Sequence, residues 1–154
     1  MPEDRTFMMG KFAAHLPGDL RYACRNHLWC RPAGDGFRFG FTAYAVRLMQ
    51  DVYFLDWTVS PGDSLTLLQQ IGHIETSKAE SDLYAPLAGR VVCFNQDLLK
   101  DPSAVNVDKY GAGWLFELAG DAREMVGVDE YYQYLADNWE NTQRHIKGKI
   151  NTDD

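Results

Sequence analysis

The most informative segment of the chain is Ile74-Glu75-Thr76-Ser77-Lys78-Ala79-Glu80-Ser81-Asp82-Leu83-Tyr84-Ala85-Pro86-Leu87-Ala88-Gly89. Residues 74–77 and 81–85 predict the two strands of a hairpin, and Pro86 and Gly89 break the chain after it. Lys78 then lies at the hairpin tip, where an enzyme can reach its amine. Three acidic residues flank it and offer a charged landmark to a partner: Glu75, Glu80 and Asp82. A lysine in a polar turn is more often only a solvated surface residue.

Outward from this hairpin, short apolar runs separated by turn residues predict further strands. Residues 37–41 alternate with period two, which is typical of a half-buried strand. Thr42 is expected to cap a short helix over residues 43–50. Four more segments are expected to be strands, and residues 102–113 are expected to be a loop. The strand segments are 51–57, 65–71, 90–94 and 114–118.

The two ends of the chain differ from the middle. Residues 1–19 show little pattern and are expected to be an irregular N-terminal extension, which leaves residues 20–154 as a single domain. Near the C-terminus, apolar residues at helical spacing predict an amphipathic helix, and the last four residues are expected to fray. We therefore expect a mainly β protein, a sandwich or flattened barrel with flanking helices. The helix pattern is carried by Val128, Tyr131, Tyr132, Leu135, Trp139 and Ile146.

Composition excludes several classes of protein. The chain has 154 residues, 15 Lys plus Arg and 22 Asp plus Glu, so its net charge is −7. Binding to nucleic acid or to an anionic membrane surface depends on basic residues, and neither is expected. The longest apolar runs fall far short of the roughly 20 residues that span a bilayer. No signal peptide is visible, so a cytoplasmic location is expected.

Catalytic and metal motifs are weak. The sequence holds no nucleophile elbow and no phosphate-binding glycine loop. Cys24, His27 and Cys30 form a C-x2-H-x2-C cluster, but a structural zinc site needs four ligands and no second pair is evident. We therefore expect no metal site. Whether Cys24 and Cys30 form a disulfide or a redox couple stays open at this stage.

The lysine segment resembles the lipoylation site of the glycine cleavage system H protein family. Other short motifs follow in the order of that family, and together they span roughly residues 20–140. The resemblance implies a lipoyl-domain-like β-barrel or sandwich (a barrel-sandwich hybrid) with a C-terminal helix. The matching motifs are Arg21-Tyr22, His27-x-Trp29, Gly40-Phe41-Thr42, Pro61-Gly62-Asp63, Val91-Val92-Cys93-Phe94-Asn95, Asp101-Pro102-x-x-Val105-Asn106 and Tyr110-Gly111-x-Gly113-Trp114-Leu115.

By the same resemblance, Lys78 carries lipoate as an amide, and the chain is a substrate of partner enzymes rather than a catalyst. The implied partners are a lipoate–protein ligase or lipoyl transferase, glycine decarboxylase, aminomethyltransferase and dihydrolipoamide dehydrogenase. The lipoyl arm would shuttle a bound intermediate between active sites, because tethering raises its effective concentration there. The protein is expected to be a monomer.

Two departures from the family pattern bear on the pathway. The family reads His-Glu-Trp where this chain reads His27-Leu28-Trp29, and that glutamate helps to hold an arm that carries an aminomethyl group. Tyr44 stands where the family has a histidine. A sulfur-loaded arm carries no amine, so these changes are similar to the lipoate-binding proteins of bacterial sulfur oxidation, which act with a heterodisulfide-reductase-like complex.

The sequence therefore predicts a lipoate-binding carrier, with sulfur oxidation as the main interpretation and glycine cleavage as the alternative. A second alternative is an unmodified interaction or lipoyl-relay module. A biotin carrier is a weaker interpretation, because biotin sites centre on Met-Lys-Met whereas Ser77 and Ala79 flank this lysine.

Overall fold

The computed structural model describes residues 2–150, with side chains described through residue 143. The described chain forms eleven strands and four helices. The strands are β1 (Arg5–Met9), β2 (Phe12–Leu16), β3 (Arg21–Ala23), β4 (Leu28–Ala33), β5 (Gly36–Phe41), β6 (Val52–Trp57), β7 (Ser64–Leu65), β8 (Gln70–Thr76), β9 (Glu80–Tyr84), β10 (Gly89–Phe94) and β11 (Phe116–Gly120). The helices are α1 (Ala43–Met49), α2 (Gln96–Lys100), α3 (Ala104–Val107) and α4 (Val128–Ile150).

The strands form three antiparallel sheets. Strands β1 and β2 pair alone as a hairpin. The largest sheet has six strands in the order β3-β4-β5-β11-β10-β7, and the third has the order β6-β8-β9. The main core lies between these last two sheets, because its buried members come from both. Phe39 and Leu118 belong to the six-stranded sheet, and Leu55 and Ile74 to the three-stranded sheet. The mainly β sandwich predicted from the sequence is confirmed.

A second core joins the two ends of the chain to α1. Its buried members include Phe7 of β1, Leu16 of β2, Trp29 of β4, Tyr44 of α1 and Tyr131 of α4. Aromatic rings dominate it, and such rings bury more apolar area than other side chains. We call this group, together with the partly buried Tyr132 and Trp139, the aromatic cluster.

Local sequence explains two features near the lysine hairpin. Thr42 caps α1 as predicted, since its hydroxyl accepts the N–H of Ala45 at 3.2 Å. In β8, Gly72 lies so close to β6 that a side chain there would meet the Asp56 carbonyl and the Trp57 ring, each at 2.7 Å. Glycine at this position therefore lets β8 lie tightly against its neighbour.

The expected irregular extension at residues 1–19 is wrong. Residues 5–16 form the β1–β2 hairpin, with Phe7, Ala14 and Leu16 buried on one face. The turn uses Gly10 with φ of +64°, a conformation that favours glycine. Burial alternates along both strands, but polarity does not, because the exposed residues Met8 and Ala13 are apolar, so period two gave no signal here. The domain boundary at residue 20 stays a prediction.

Two other element predictions need correction. The predicted strand over 65–71 is interrupted after Leu65, because the chain turns at Leu68, whose φ is +64°. The N–H of Leu68 donates to the Ala85 carbonyl, so these apolar residues form a bend over the hairpin base. The predicted loop over 102–113 contains the short helix α3.

The C-terminal amphipathic helix is confirmed as α4, whose buried residues Val128, Tyr131 and Leu135 face the aromatic cluster. The side chain of Ile146 and the predicted frayed tail, residues 151–154, lie outside the described residues. Within the described part of the chain, no helix has the length and apolar character needed to cross a membrane.

Candidate functional site: the lysine hairpin and its surroundings

Lys78 lies at the tip of the hairpin formed by β8 and β9, as the sequence predicts. It is solvent-exposed, and so are its neighbours Ser77, Ala79 and Glu80. An enzyme can therefore approach this amine from outside the molecule.

Thr76 shapes the turn that presents the lysine. Its hydroxyl oxygen accepts the backbone N–H of Lys78 at 3.2 Å and that of Ala79 at 3.1 Å. The backbone N–H of Thr76 donates to the Ala79 carbonyl at 2.9 Å, and Ser77 N–H donates to the Asp51 carbonyl at 3.1 Å. The backbone of the tip is thus fixed while the lysine side chain stands at the surface. Sequence analysis did not single out Thr76.

The three predicted acidic residues lie on the two strands below the tip. Glu75 and Glu80 pair directly across β8 and β9, and Asp82 pairs with His73 one step further down. The imidazole of His73 contacts two carboxylates, with Nδ1 at 3.3 Å from Asp82 Oδ1 and Nε2 at 3.5 Å from Glu75 Oε2. The hydrogen bond to Asp82 is the main reason that the pKa of His73 is raised.

Sequence reasoning missed His73 as part of this site. In the described chain, His73, Glu75 and Glu80 are the group of potential ligands whose donor atoms lie within 4.8 Å of one another. The imidazole of His73 forms its ion-pair contacts with Glu75 and Asp82, and we assign no metal to the group. The alternation of His73 and Glu75 with buried Ile74 and Thr76 is the period-two signal that places the first two on the outer face.

A cleft of about 270 Å³ lies beside the β9 arm of the hairpin. Its floor is largely apolar, with Leu28, Ile74 and Leu115 among its lining residues, and Arg25 and Asp82 bring charge to its rim. Leu28, for which the resemblance implies a glutamate in the family, is 3% exposed and forms part of this apolar lining. Such a cleft suits an uncharged aliphatic group.

The structure places Cys30 in a buried position and leaves Cys24 and His27 half-buried. Cys24 and Cys30 are free thiols, and burial raises their pKa values to about 11 and about 12. His27 is half-buried against the aromatic cluster, where its Nδ1 lies 3.0 Å from the Tyr131 hydroxyl. Burial lowers the pKa of His27 to about 4. These are properties of packed core side chains rather than of reactive thiols.

A barrel-sandwich body that presents a lysine at an exposed hairpin tip defines the class of lipoyl-type carrier domains. The family model described as "Glycine cleavage H-protein" matches residues 20–138. A glycine cleavage system H protein from Pseudoalteromonas atlantica is 42% identical over 122 residues, which cover 75% of this chain and 89% of that protein. The corresponding protein from Myxococcus xanthus is 39% identical over 125 residues, 80% of this chain and 95% of that protein.

A solved structure is similar over most of the chain. A crystal structure of a glycine cleavage system H protein from Mycobacterium marinum matches with a TM-score of 0.67 and 31% identity, covering 80% of this chain and 98% of that one. The chain belongs to the glycine cleavage H-protein family. Members of this family carry lipoate covalently attached to a lysine, so lipoate is the cofactor that the family membership implies.

Proposed function

We propose that this chain is the lipoate carrier of a glycine cleavage system and that Lys78 is the attachment residue. The observation that carries the proposal is the exposed position of Lys78 on a turn fixed by Thr76, in a chain 42% identical to a glycine cleavage H protein. A rigid backbone with an open side chain suits a residue that another enzyme must modify.

The residues at the tip fit the chemistry of attachment. Lys78 Nζ gives up a proton to solvent and attacks the carbonyl carbon of an activated lipoyl donor. An amide bond forms, and the bond to the donor's leaving group breaks. Once attached, the dithiolane supplies redox and group-carrying chemistry. The chain itself contributes the anchored tip, the acidic residues beside it and the adjoining apolar cleft.

The proposed partners follow from the family. A lipoate–protein ligase or lipoyl transferase would modify Lys78. Glycine decarboxylase, aminomethyltransferase and dihydrolipoamide dehydrogenase would then act on the modified arm. The protein would have no enzyme activity of its own, and the predicted cytoplasmic location and monomeric state belong to the same proposal.

Intact-mass measurement and peptide mapping test the attachment. Protein isolated from a lipoate-replete host is expected to carry one lipoyl group on Lys78. The variant Lys78→Arg is expected to lose the whole increment while it keeps its thermal unfolding midpoint, because an exposed tip tolerates substitution. Lys11→Arg, at an exposed lysine of the β1–β2 turn, is the matched control and keeps the increment. Acylation of a different lysine would overturn the assignment.

A second candidate function is supported by Leu28. Sulfur oxidation is the main interpretation drawn from the sequence, and the named relatives support glycine cleavage better. The buried Leu28 still offers no counter-charge to an amine in the cleft. Release of labelled carbon dioxide from carboxyl-labelled glycine, by glycine decarboxylase with the lipoylated chain, separates the two. Efficient release supports glycine cleavage. Release no faster than with Lys78→Arg favours the sulfur interpretation.

A further inference from the structure

The outward face of the three-stranded sheet carries an organised set of acidic residues. The register of β6, β8 and β9 places Asp56, His73 and Asp82 in one row across the sheet. The next row, one step closer to the lysine tip, contains Phe54, Glu75 and Glu80. The alternate residues Leu55 and Ile74 are buried on the other face. We call the set Asp56, His73, Glu75, Glu80 and Asp82 the acidic face.

Apart from the imidazole of His73, every charged group on the acidic face is a negatively charged carboxylate. Four carboxylates stand against His73, and His73 contacts two of them directly. These carboxylates belong to paired strands, so the backbone hydrogen bonds of the sheet fix their relative positions. A fixed cluster of negative charge is complementary to a surface rich in lysine and arginine.

Exposed aromatic side chains border the acidic face on edge strand β6. The pairing of β6 with β8 shifts register between Val52 and Phe54, which leaves one extra residue on β6. Two consecutive aromatic residues are exposed as a result, Tyr53 at 60% and Phe54 at 44%. Large exposed aromatics beside charged groups are typical of protein–protein contact surfaces.

We propose that the acidic face and its aromatic border form the docking surface for the enzyme that acylates Lys78. The partner is accordingly a protein whose active-site entrance is lined by basic side chains, with an apolar patch opposite Tyr53 and Phe54. This inference rests on the proposed function, because it takes Lys78 as the modified residue. It extends that function by assigning recognition to residues on β6, which lie far from Lys78 in the sequence.

The position of the reacting atom favours the acylating enzyme over the enzymes that use the finished arm. Acylation joins the lipoyl carbonyl carbon to Lys78 Nζ, so the enzyme must bring its activated donor to the hairpin tip itself. The Glu75–Glu80 row lies directly below that tip. An enzyme that acts on the dithiolane meets the far end of the arm and has no comparable need to contact these two strands.

Charge reversal on the face tests this docking surface. The substrate is the unmodified full-length chain, with lipoate, ATP and the purified lipoate–protein ligase of the same organism, and mass spectrometry follows acylation of Lys78. The double variant Asp56→Lys/Glu80→Lys is expected to raise the KM for the chain about tenfold, with kcat within about twofold. Rising salt, from about 0.05 to about 0.5 M, is expected to weaken the wild-type reaction and to affect the variant less.

A matched variant separates local from global charge. Asp35→Lys/Glu124→Lys makes the same change in net charge at exposed positions, one in the β4–β5 turn and one between β11 and α4. It is expected to keep the wild-type KM. Equal KM values for the two double variants would overturn the docking proposal while leaving Lys78 as the attachment residue. A wild-type chain that the ligase does not acylate on Lys78 would overturn the proposed function as well.

The aromatic border is tested by Phe54→Ala. This substitution removes an exposed ring and is expected to raise the KM about threefold to fivefold, since interface aromatics carry much of the binding energy. Circular dichroism and the thermal midpoint check that each variant is folded. A folded Phe54→Ala chain with an unchanged KM would remove Phe54 from the proposed surface.

Discussion

The acidic face and the aromatic cluster each hold one histidine, and the two histidines behave in opposite ways. His73 is accessible to solvent and lies between carboxylates, and its hydrogen bond with Asp82 raises its pKa. His27 is half-buried against Tyr44 and Tyr131, and the loss of hydration there lowers its pKa to about 4. Because the side chain is the same, the difference shows that the surroundings decide its charge.

The two regions also differ in what their residues do. The aromatic cluster joins the N-terminal hairpin to α1 and α4 through edge-on ring contacts and buried hydroxyl groups. The acidic face contributes little buried area and leaves its charges open to partners. Changes in the first region should therefore alter stability, and changes in the second should alter recognition or titration.

The largest effect on stability is expected from Phe7→Ala. Phe7 is 5% exposed and its ring lies 5.6 Å from those of Tyr132 and Trp139, and 5.8 Å from that of Tyr44. Removal of a buried ring leaves a cavity and costs about 3–4 kcal/mol of unfolding free energy. Urea denaturation measures this loss.

The neighbouring residue provides the control for this change. Met8 points outward from the same strand and is 51% exposed, so Met8→Ala should alter stability by less than about 0.5 kcal/mol. At a temperature where Phe7→Ala is folded, Lys78 should still be acylated, because the β8–β9 hairpin packs on the main core and not on the aromatic cluster. Equal losses of unfolding free energy in Phe7→Ala and Met8→Ala would show that the β1–β2 hairpin does not anchor the aromatic cluster.

The next largest effect is the contribution of His27 to the loss of unfolding free energy in acid. Its pKa is lower in the folded state than the ordinary 6.5, so on acidification the unfolded chain takes up the proton first. The stability associated with neutral His27 is therefore fully present above about pH 6.5. It declines by about 3 kcal/mol in total as the pH falls to about 4.

A comparison of two variants measures the contribution of His27 to this pH dependence. His27→Asn should flatten the dependence of unfolding free energy on pH between 6.5 and 4, since asparagine tolerates the positive φ of +54° at this position. His73→Asn should keep the wild-type dependence over that range. Identical pH profiles for wild type and His27→Asn would contradict the assignment.

The smallest effect is the titration of His73 itself. Its imidazole should titrate above the ordinary value of 6.5 in the folded protein, and Asp82→Asn should move that pKa downward. Because the folded-state pKa is raised, any stabilisation by this contact is present at low pH and is lost as the pH rises through that pKa. Imidazole chemical shifts in an NMR titration report both values. An unchanged His73 pKa in Asp82→Asn would assign the shift to other carboxylates.

The sequence predicted the lysine hairpin, the strand-rich class, the Thr42 cap and the amphipathic C-terminal helix correctly. Each of these depends on residues close together in the chain, through alternation, capping or helical spacing. It failed at residues 65–71, where hydrophobicity favoured a strand but the left-handed turn at Leu68 ends it. It also failed at residues 1–19, where exposed positions such as Met8 and Ala13 are apolar and only the folded hairpin shows which residues are buried.

Local sequence was sufficient to identify the family and the exposed lysine, because the motif around Lys78 is contiguous and its hairpin forms from neighbouring residues. The surroundings of that lysine depend on how the whole chain folds. Asp56 reaches His73 through strand pairing, and Phe7 meets Trp139 through the packing of the two chain ends. The opposite shifts of the two histidines arise in the same way, since burial and cross-strand neighbours are properties of the folded chain and not of local sequence.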